Sequence, residues 1–249
     1  MASGTVSVRT TLTPERAFLI MPAYQEAARI GPTLDRVRDA ALPFTCVVVD
    51  DGSSDTTAER ARERGAVVLR HPFNLGYGAA LQTGYKFAMA AGAEIVVQMD
   101  ADGQHDPSLV PQLAQPVLDG RLDLVIGSRF LDAGNYSMPW LRRIGRDLFR
   151  GAARLLGLSI TDPTSGFQAM NRTVLELYMS DTFPSDYPDV DVLVTAHREG
   201  LAIGECAVSM SAETRPSRIH GGLRSIYYVY KMLLSLWAAT RRAPTRDEP

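Results

Sequence analysis

Short apolar runs rich in β-branched residues alternate along this chain with stretches that carry helical signals. The runs are AFLIMPA (17–23), FTCVVVDD (44–51), AVVLR (66–70), EIVVQMD (94–100) and LDLVIGS (122–128). A strand buried on both faces reads as a near-continuous apolar run, and runs of this kind separated by helices specify a mostly parallel sheet with helices on both faces. The fold class expected is therefore α/β. The clearest unit is VVVDDGSSDTTAERARERGAVVL (47–69). It reads as a strand, an acidic Gly-Ser turn, a charged helix with Ser53, Ser54 and Asp55 as its capping candidates, a stop at Gly65 and the next strand. After Gly134 the alternation loosens into a basic helix-like stretch, a loop TDPTSGFQAM (161–170), an acidic turn FPSDYPDVDV (183–192) and a final amphipathic segment.

A length of 249 residues with 45% hydrophobic content suits one sizeable core, and a net charge of −2 gives no support to nucleic-acid binding. Charge is distributed unevenly, however. Arg142, Arg143, Arg146, Arg150 and Arg154 stand against Asp147, and Arg215, Arg218, Arg224, Lys231, Arg241, Arg242 and Arg246 stand against Asp247 and Glu248. The expected organisation is one domain over residues 1–210 and a basic loop with an amphipathic helix over 211–249. Cys46 and Cys206 have neither disulfide-framework nor metal-type spacing and are expected to be buried and inert. The N-terminus lacks a positive region followed by an apolar stretch, and YYVYKMLLSLWAA (227–239) is interrupted by Lys231 and Ser235. A cytoplasmic protein that does not cross the bilayer is the expectation.

In open α/β sheets ligands bind beyond the carboxyl ends of the strands. Here those ends carry Pro22 to Glu26, Asp50 to Asp55 and Asp100 to Asp106. In VVQMDADGQHDP (96–107) an extended chain would place Asp100, Asp102 and Gln104 on one side, because side chains alternate with a period of two. Crowded carboxylates repel unless a cation sits between them, and hard oxygen donors suit Mg²⁺ or Mn²⁺ with positions left for diphosphate oxygens. His105 is expected to be solvated or a fourth ligand. NLGYGAALQTGYKFA (74–88) matches neither a dinucleotide fingerprint nor a Walker motif, so its glycines read as a tight start to a helix.

Taken in order, LIMPAYQEAARIG, CVVVDDGSSDTT, RHPFNLGYGAALQTGYKFA, VVQMDADGQHDP and VIGSRF resemble the successive motifs of family 2 glycosyltransferases of the GT-A fold, in particular the dolichyl- or polyprenyl-phosphate sugar synthases. The resemblance runs from about Phe18 to Val208. It implies a GT-A domain followed by the C-terminal amphipathic helix, inverting transfer of a hexose from a GDP- or UDP-linked donor, and a Mg²⁺ or Mn²⁺ cofactor. It further implies that Pro22, Ala23, Tyr24 and Glu26 border the base and ribose, and that Asp51, with Asp50 beside it, meets the base. Asp100, Ala101, Asp102 and Gln104 would form the metal and diphosphate segment, with Arg129 near the donor phosphates. Gln25 departs from the Asn usual in the family.

For the acceptor, two readings stay open. A hydroxyl acceptor needs a carboxylate base, for which Asp189 and Asp191 are the candidates. A polyprenyl phosphate is already ionised and needs none; Arg215 and Arg218 would then bind it, with Ser165 on the acceptor-side loop beside Asp162 and Gly166. Leu223, Ile226, Tyr227, Tyr230, Leu234 and Trp237 share a helical face that suits peripheral contact with the inner face of an anionic membrane. The same face suits the protein's own core or a second copy in a homodimer. A nucleotide-sugar-binding module and a nucleotidyltransferase are the readings from other classes; the second normally carries a Gly-rich basic N-terminal loop, which MPAYQEAARIGP is not.

Overall fold

The computed structural model describes residues 15–131 and 140–210, with Thr13 and Leu234 as isolated positions. Arg215, Arg218 and, apart from Leu234, the amphipathic segment 223–237 lie outside the described residues.

Seven strands form one sheet in the order β3-β2-β1-β4-β6-β5-β7. They are β1 (Ala17–Ala23), β2 (Thr45–Asp50), β3 (Val67–Arg70), β4 (Ile95–Gln98), β5 (Leu124–Ser128), β6 (Gln168–Asn171) and β7 (Ile203–Ala207). All neighbours pair in parallel except β6, which runs antiparallel to both β4 and β5. The helices are α1 (Ala27–Asp39), α2 (Thr57–Glu63), α3 (Tyr77–Ala90), α4 (Val110–Leu118), α5 (Trp140–Leu155), α6 (Arg172–Tyr178) and α7 (Val190–Arg198).

Strand periodicity divides the core into two layers. Phe18 and Ile20 of β1, Val47 and Val49 of β2 and Val96 of β4 face α3, α5, α6 and α7. Ala17, Leu19, Met21, Val48, Ile95 and Val97, the alternate positions, face α1 and α4. Both faces are thus covered, which is why β1 and the heart of β2 read as unbroken apolar runs. The stretch 161–170, expected as a loop, ends in β6: four residues are too few for a periodic signal to stand out from the turn before them.

One further expectation is corrected at α2. Gly65 does follow the helix with φ +80, but the helix has no side-chain cap. Ser53 reaches across to the β1–α1 loop, where Gln25 N–H donates to its Oγ at 2.9 Å, while Asp55 serves both sides: Oδ2 accepts from Ala27 N–H at 3.1 Å and Oδ1 from the N–H of Thr57, the first residue of α2, at 3.1 Å. Burial alone would raise Asp55, but hydrogen bonds from the Thr57 hydroxyl and from the Ala27 and Thr57 N–H groups bring its carboxyl below the ordinary value. The two cysteines are half-buried. Desolvation pushes the Cys46 thiol up to about 12, so it is inert at neutral pH.

Candidate active site

Because β6 is reversed, its first residue lies toward the carboxyl ends of its neighbours: Gln168 pairs with Gln98, the last residue of β4, and with Ile126 of β5. The loops after β1, β2, β4 and β5 and the loop before β6 therefore share one edge. Every candidate for donor binding sits there.

The β1 end is tightly built. Pro22 and Ala23 are the buried last residues of β1, and Tyr24 is the exposed residue of this group at 41%. Gln25 has φ 59, a left-handed conformation that Asn tolerates better than Gln, and its amide donates to Ser54 Oγ. That conformation gives a backbone reason for Asn at this position. Glu26 takes a bidentate pair from Arg29, with Nε 2.6 Å from Oε2 and Nη2 2.8 Å from Oε1.

At the β2 end, Asp50 is fully buried. Its Oδ1 accepts from Ser53 N–H at 3.1 Å, and Arg70 Nε stands 3.1 Å from Oδ2 without hydrogen-bond geometry. Asp50 thus holds its turn through the Ser53 N–H. Asp51, 3% exposed, gathers the 71–76 loop: Oδ1 meets His71 Nδ1 at 2.7 Å and Leu75 N–H at 2.8 Å, and Oδ2 meets Gly76 N–H at 3.0 Å. Gly52 makes this seat available, since a Cβ there would lie 2.4 Å from the Phe73 carbonyl carbon. Gly52, Ser53, Arg70, His71 and Pro72 line an open cleft beside it.

At the β4 end, the chain turns through 101–103 with Gly103 at φ +78, so the extended run expected through Gln104 does not form. Ala101 points into the core and Gln104 supplies a backbone N–H to Asp102 Oδ1 at 3.0 Å. Thr33 Oγ1 and Arg36 Nη1 of α1 hold the turn by its Ala101 and Gly103 carbonyls. The turn brings Asp100 and Asp102 within each other's field. Burial raises Asp100, offset by the Tyr77 hydroxyl and the charge of Arg129; burial and then the Asp100 charge raise Asp102. His105 is corrected from a solvated residue to a buried one, 2% exposed and stacked on Phe167 at 4.8 Å, with Nε2 3.9 Å from Asp100 Oδ2. Its Nδ1 accepts from Asp100 N–H at 3.2 Å, and burial lowers its pKa to about 4, leaving it neutral.

The two carboxylates fit a hard divalent cation. Burial raises both, and the Asp100 charge raises Asp102 further, an arrangement that a cation between them relieves. Gly166 keeps space at this point, because a Cβ there would lie 2.9 Å from the Tyr77 hydroxyl and 3.3 Å from both Asp100 oxygens. Among the described residues no group of three or more His, Cys, Asp or Glu side chains is placed to hold a metal. Remaining ligands would then come from substrate phosphate and water, as Mg²⁺-type sites commonly arrange.

At the β5 end, Arg129 is clamped by Asp162: Nε to Oδ2 at 2.6 Å, Nη2 to Oδ1 at 2.7 Å and the backbone N–H to Oδ2 at 3.1 Å. Asp162 is wholly buried, and its own N–H donates to Glu205 Oε1 at 2.9 Å. Ser128 Oγ and Thr161 Oγ1 join beside them at 2.6 Å. The excursion between β5 and β6, which contains α5, is tied at its neck. Ser165 is corrected from an acceptor contact to a fold contact, since its buried hydroxyl donates to Gly127 O at 2.6 Å and accepts from Phe167 N–H at 3.3 Å.

The two base candidates separate. Asp191 is 4% exposed; its Oδ1 accepts from Asp189 N–H at 3.1 Å, and its charge adds to burial in raising the interior Tyr178. Asp189 is half-buried, and its field reaches Tyr77 beside Asp100. Sequence reasoning missed Tyr77, whose hydroxyl donates to Asp100 Oδ1 at 2.9 Å. Its position at a helix start between two glycines was the available signal.

A sequence model of the family described as Glycosyl transferase family 2 matches residues 18–178. The chain is a family 2 glycosyltransferase. This glycosyltransferase is 33% identical over 225 residues to an uncharacterised protein of Methanocaldococcus jannaschii, covering 88% of this chain and 92% of that one. It is 33% identical to the undecaprenyl-phosphate mannosyltransferase of Micrococcus luteus, over 84% of this chain and 89% of the relative. Against the polyprenol monophosphomannose synthase of Mycolicibacterium smegmatis it is 35% identical over 65% of this chain and 64% of the relative. Among solved structures it superposes with TM-score 0.69 on the glucosyl-3-phosphoglycerate synthase of Mycobacterium tuberculosis in complex with Mn²⁺, UDP and glucosyl-3-phosphoglycerate, at 24% identity over 98% of this chain and 88% of that one. That likeness establishes the GT-A fold. No helix of the described residues is long and apolar enough to cross a membrane.

Proposed function

We propose that this glycosyltransferase moves a hexose, with inversion, from a GDP- or UDP-linked donor to a polyprenyl phosphate, using Mg²⁺ or Mn²⁺ held by Asp100 and Asp102. The observation that carries the reading is the pair Asp100 and Asp102 on the turn that follows β4 at the shared strand edge, with Gly166 leaving space beside the Asp100 carboxylate. The relatives named for transfer to undecaprenyl phosphate and for polyprenol monophosphomannose synthesis support the acceptor class. The fold neighbour with Mn²⁺ and UDP supports the cofactor and donor classes.

When bound, the cation would neutralise charge that builds on the departing diphosphate. The chain's own residues prepare the rest. Asp51 and Gly52 seat the 71–76 loop beside the donor cleft. Arg129, oriented by Asp162, places positive charge near Asp100. An acceptor phosphate oxygen attacks the anomeric carbon, the bond to the diphosphate oxygen breaks, and that oxygen keeps the electron pair. A phosphate with a second pKa near ~6 brings its own negative oxygen, so no proton need be removed. Met210, the residue before the basic loop in sequence, forms a bridge with His105 beside the acidic turn. We assign residues 1–210 to catalysis and 211–249 to acceptor and peripheral membrane contact at the cytoplasmic face.

The test is release of nucleoside diphosphate from UDP- and GDP-sugars with Mg²⁺ or Mn²⁺, with and without a short polyprenyl phosphate. Release that depends on the lipid phosphate is expected. Donor turnover indifferent to it would move the acceptor to a hydroxyl, with Asp189 the better-placed base. Asp102→Asn should fold normally and lose about a hundredfold or more in turnover, since even outer-shell partners of a metal cost about 10- to 100-fold. Metal-dependent turnover retained in that variant would overturn the metal assignment.

A further inference from the structure

Tyr77 opens α3, and its hydroxyl sits in a chain of hydrogen bonds that runs from the core to the acidic turn. Tyr85, wholly buried on the same helix, donates to Gln98 Oε1 at 2.5 Å. Gln98, the last residue of β4, donates through Nε2 to the Tyr77 oxygen at 3.0 Å. Tyr77 in turn donates to Asp100 Oδ1 at 2.9 Å.

We propose that Tyr77 is a positioning residue for the metal-binding carboxylate of Asp100, and that Tyr85 and Gln98 fix the direction in which its hydroxyl proton points. A hydroxyl carries one proton, and an ionised carboxylate carries none. If the Gln98 amide were reversed, its oxygen would compete with Asp100 for the Tyr77 proton. Tyr85, itself a buried donor that needs an acceptor, prevents that reversal by claiming Oε1. The Tyr77 proton is thereby committed to Oδ1 of Asp100, and Oδ2 is left to face a ligand. Gly166 completes the arrangement. Its missing Cβ would lie 2.9 Å from the Tyr77 hydroxyl, so the ring and the carboxylate meet at the one place where the opposite loop has no side chain. Outer-shell hydrogen bonds of this kind orient metal ligands and tune their affinity.

The inference rests on Asp100 and Asp102 being the metal pair. Mn²⁺ is titrated into the full chain and the free ion followed by its electron paramagnetic resonance signal, alone and with UDP or GDP, for the wild type, Tyr77→Phe, Tyr85→Phe and Asp100→Asn. Tyr77→Phe is expected to weaken Mn²⁺ binding by about 10- to 100-fold, with an unchanged far-UV circular dichroism spectrum. Tyr85→Phe should weaken it by less and in the same direction. A merely structural role for Tyr77 would lower the melting temperature and leave the Mn²⁺ affinity of the folded protein unchanged, and that result overturns the proposal while the metal pair stands. Wild-type protein without Mn²⁺ affinity, or Asp100→Asn with undiminished affinity, overturns the metal pair and the proposal together.

Discussion

At the scale of single residues, the site depends on side chains that are absent as much as on those present. Gly166 is the sharpest case, because a methyl group there would meet the Tyr77 hydroxyl at 2.9 Å and both Asp100 oxygens at 3.3 Å. Gly166→Ala should therefore cost more in catalysis than in stability. We expect kcat/KM to fall by about 10- to 100-fold, the range for disturbed outer shells. Overpacking itself costs about 1–3 kcal/mol, read as a modest loss in Tm measured on the same preparation. Equal loss in both would make Gly166 a packing residue only. Asp100 and Asp102 were legible from the sequence because acidic residues crowded at a strand end have few structural uses. Gly166, Tyr77 and the buried state of His105 were not, since each is defined by a neighbour more than twenty residues away or by a ring stacked against it.

Among the elements, the start of α3 shows how a helix and a distant loop can share one position. Gly76 has φ +106, and a Cβ at Gly78 would lie 2.0 Å from the Pro184 carbonyl oxygen, a backbone atom that cannot swing aside. Ala79 N–H donates to Ser185 O at 3.1 Å across the same contact. Gly78→Ala must separate the helix from the loop that leads to Asp189. Loss of about 2–3 kcal/mol is expected from a forced backbone shift, measurable as a lower denaturation midpoint with an unchanged slope. The sequence marked these glycines as a tight helix start but could not say against what. Ser53 carries the same lesson: its residue type predicted a cap, whereas Gln25 N–H took its hydroxyl for a neighbouring loop, and Asp55 divides its two oxygens between Thr57 of α2 and Ala27 of that loop. Local propensity identifies a donor or acceptor, and the fold decides its partner.

For the whole molecule, β1, β2, β4 and β5 were legible because burial on both faces leaves an apolar signature within each strand, whereas the edge strand β3, exposed or half-buried throughout, showed itself by its β-branched residues alone. Short β6 and the half-exposed β7 lacked that signature. Cys46 offers a probe of how this assembly opens. Its sulfur lies 3.6 Å from Met21 Sδ, and burial pushes its thiol up to about 12. In a Cys206→Ser background, thiol-reactive dyes should label it at neutral pH only on unfolding, with a denaturant midpoint that matches circular dichroism; rapid labelling of native protein would contradict the burial. The reversed strand β6 has a larger consequence. With β5 and β6 antiparallel, the chain leaves the sheet and comes back at a single edge, and Arg129 with Asp162 and Ser128 with Thr161 knot the two ends together. The segment between is in effect a cassette. With both ends held by these bonds, a change of length or sequence inside it leaves the strand ends on either side, and the acidic turn beside them, where they are.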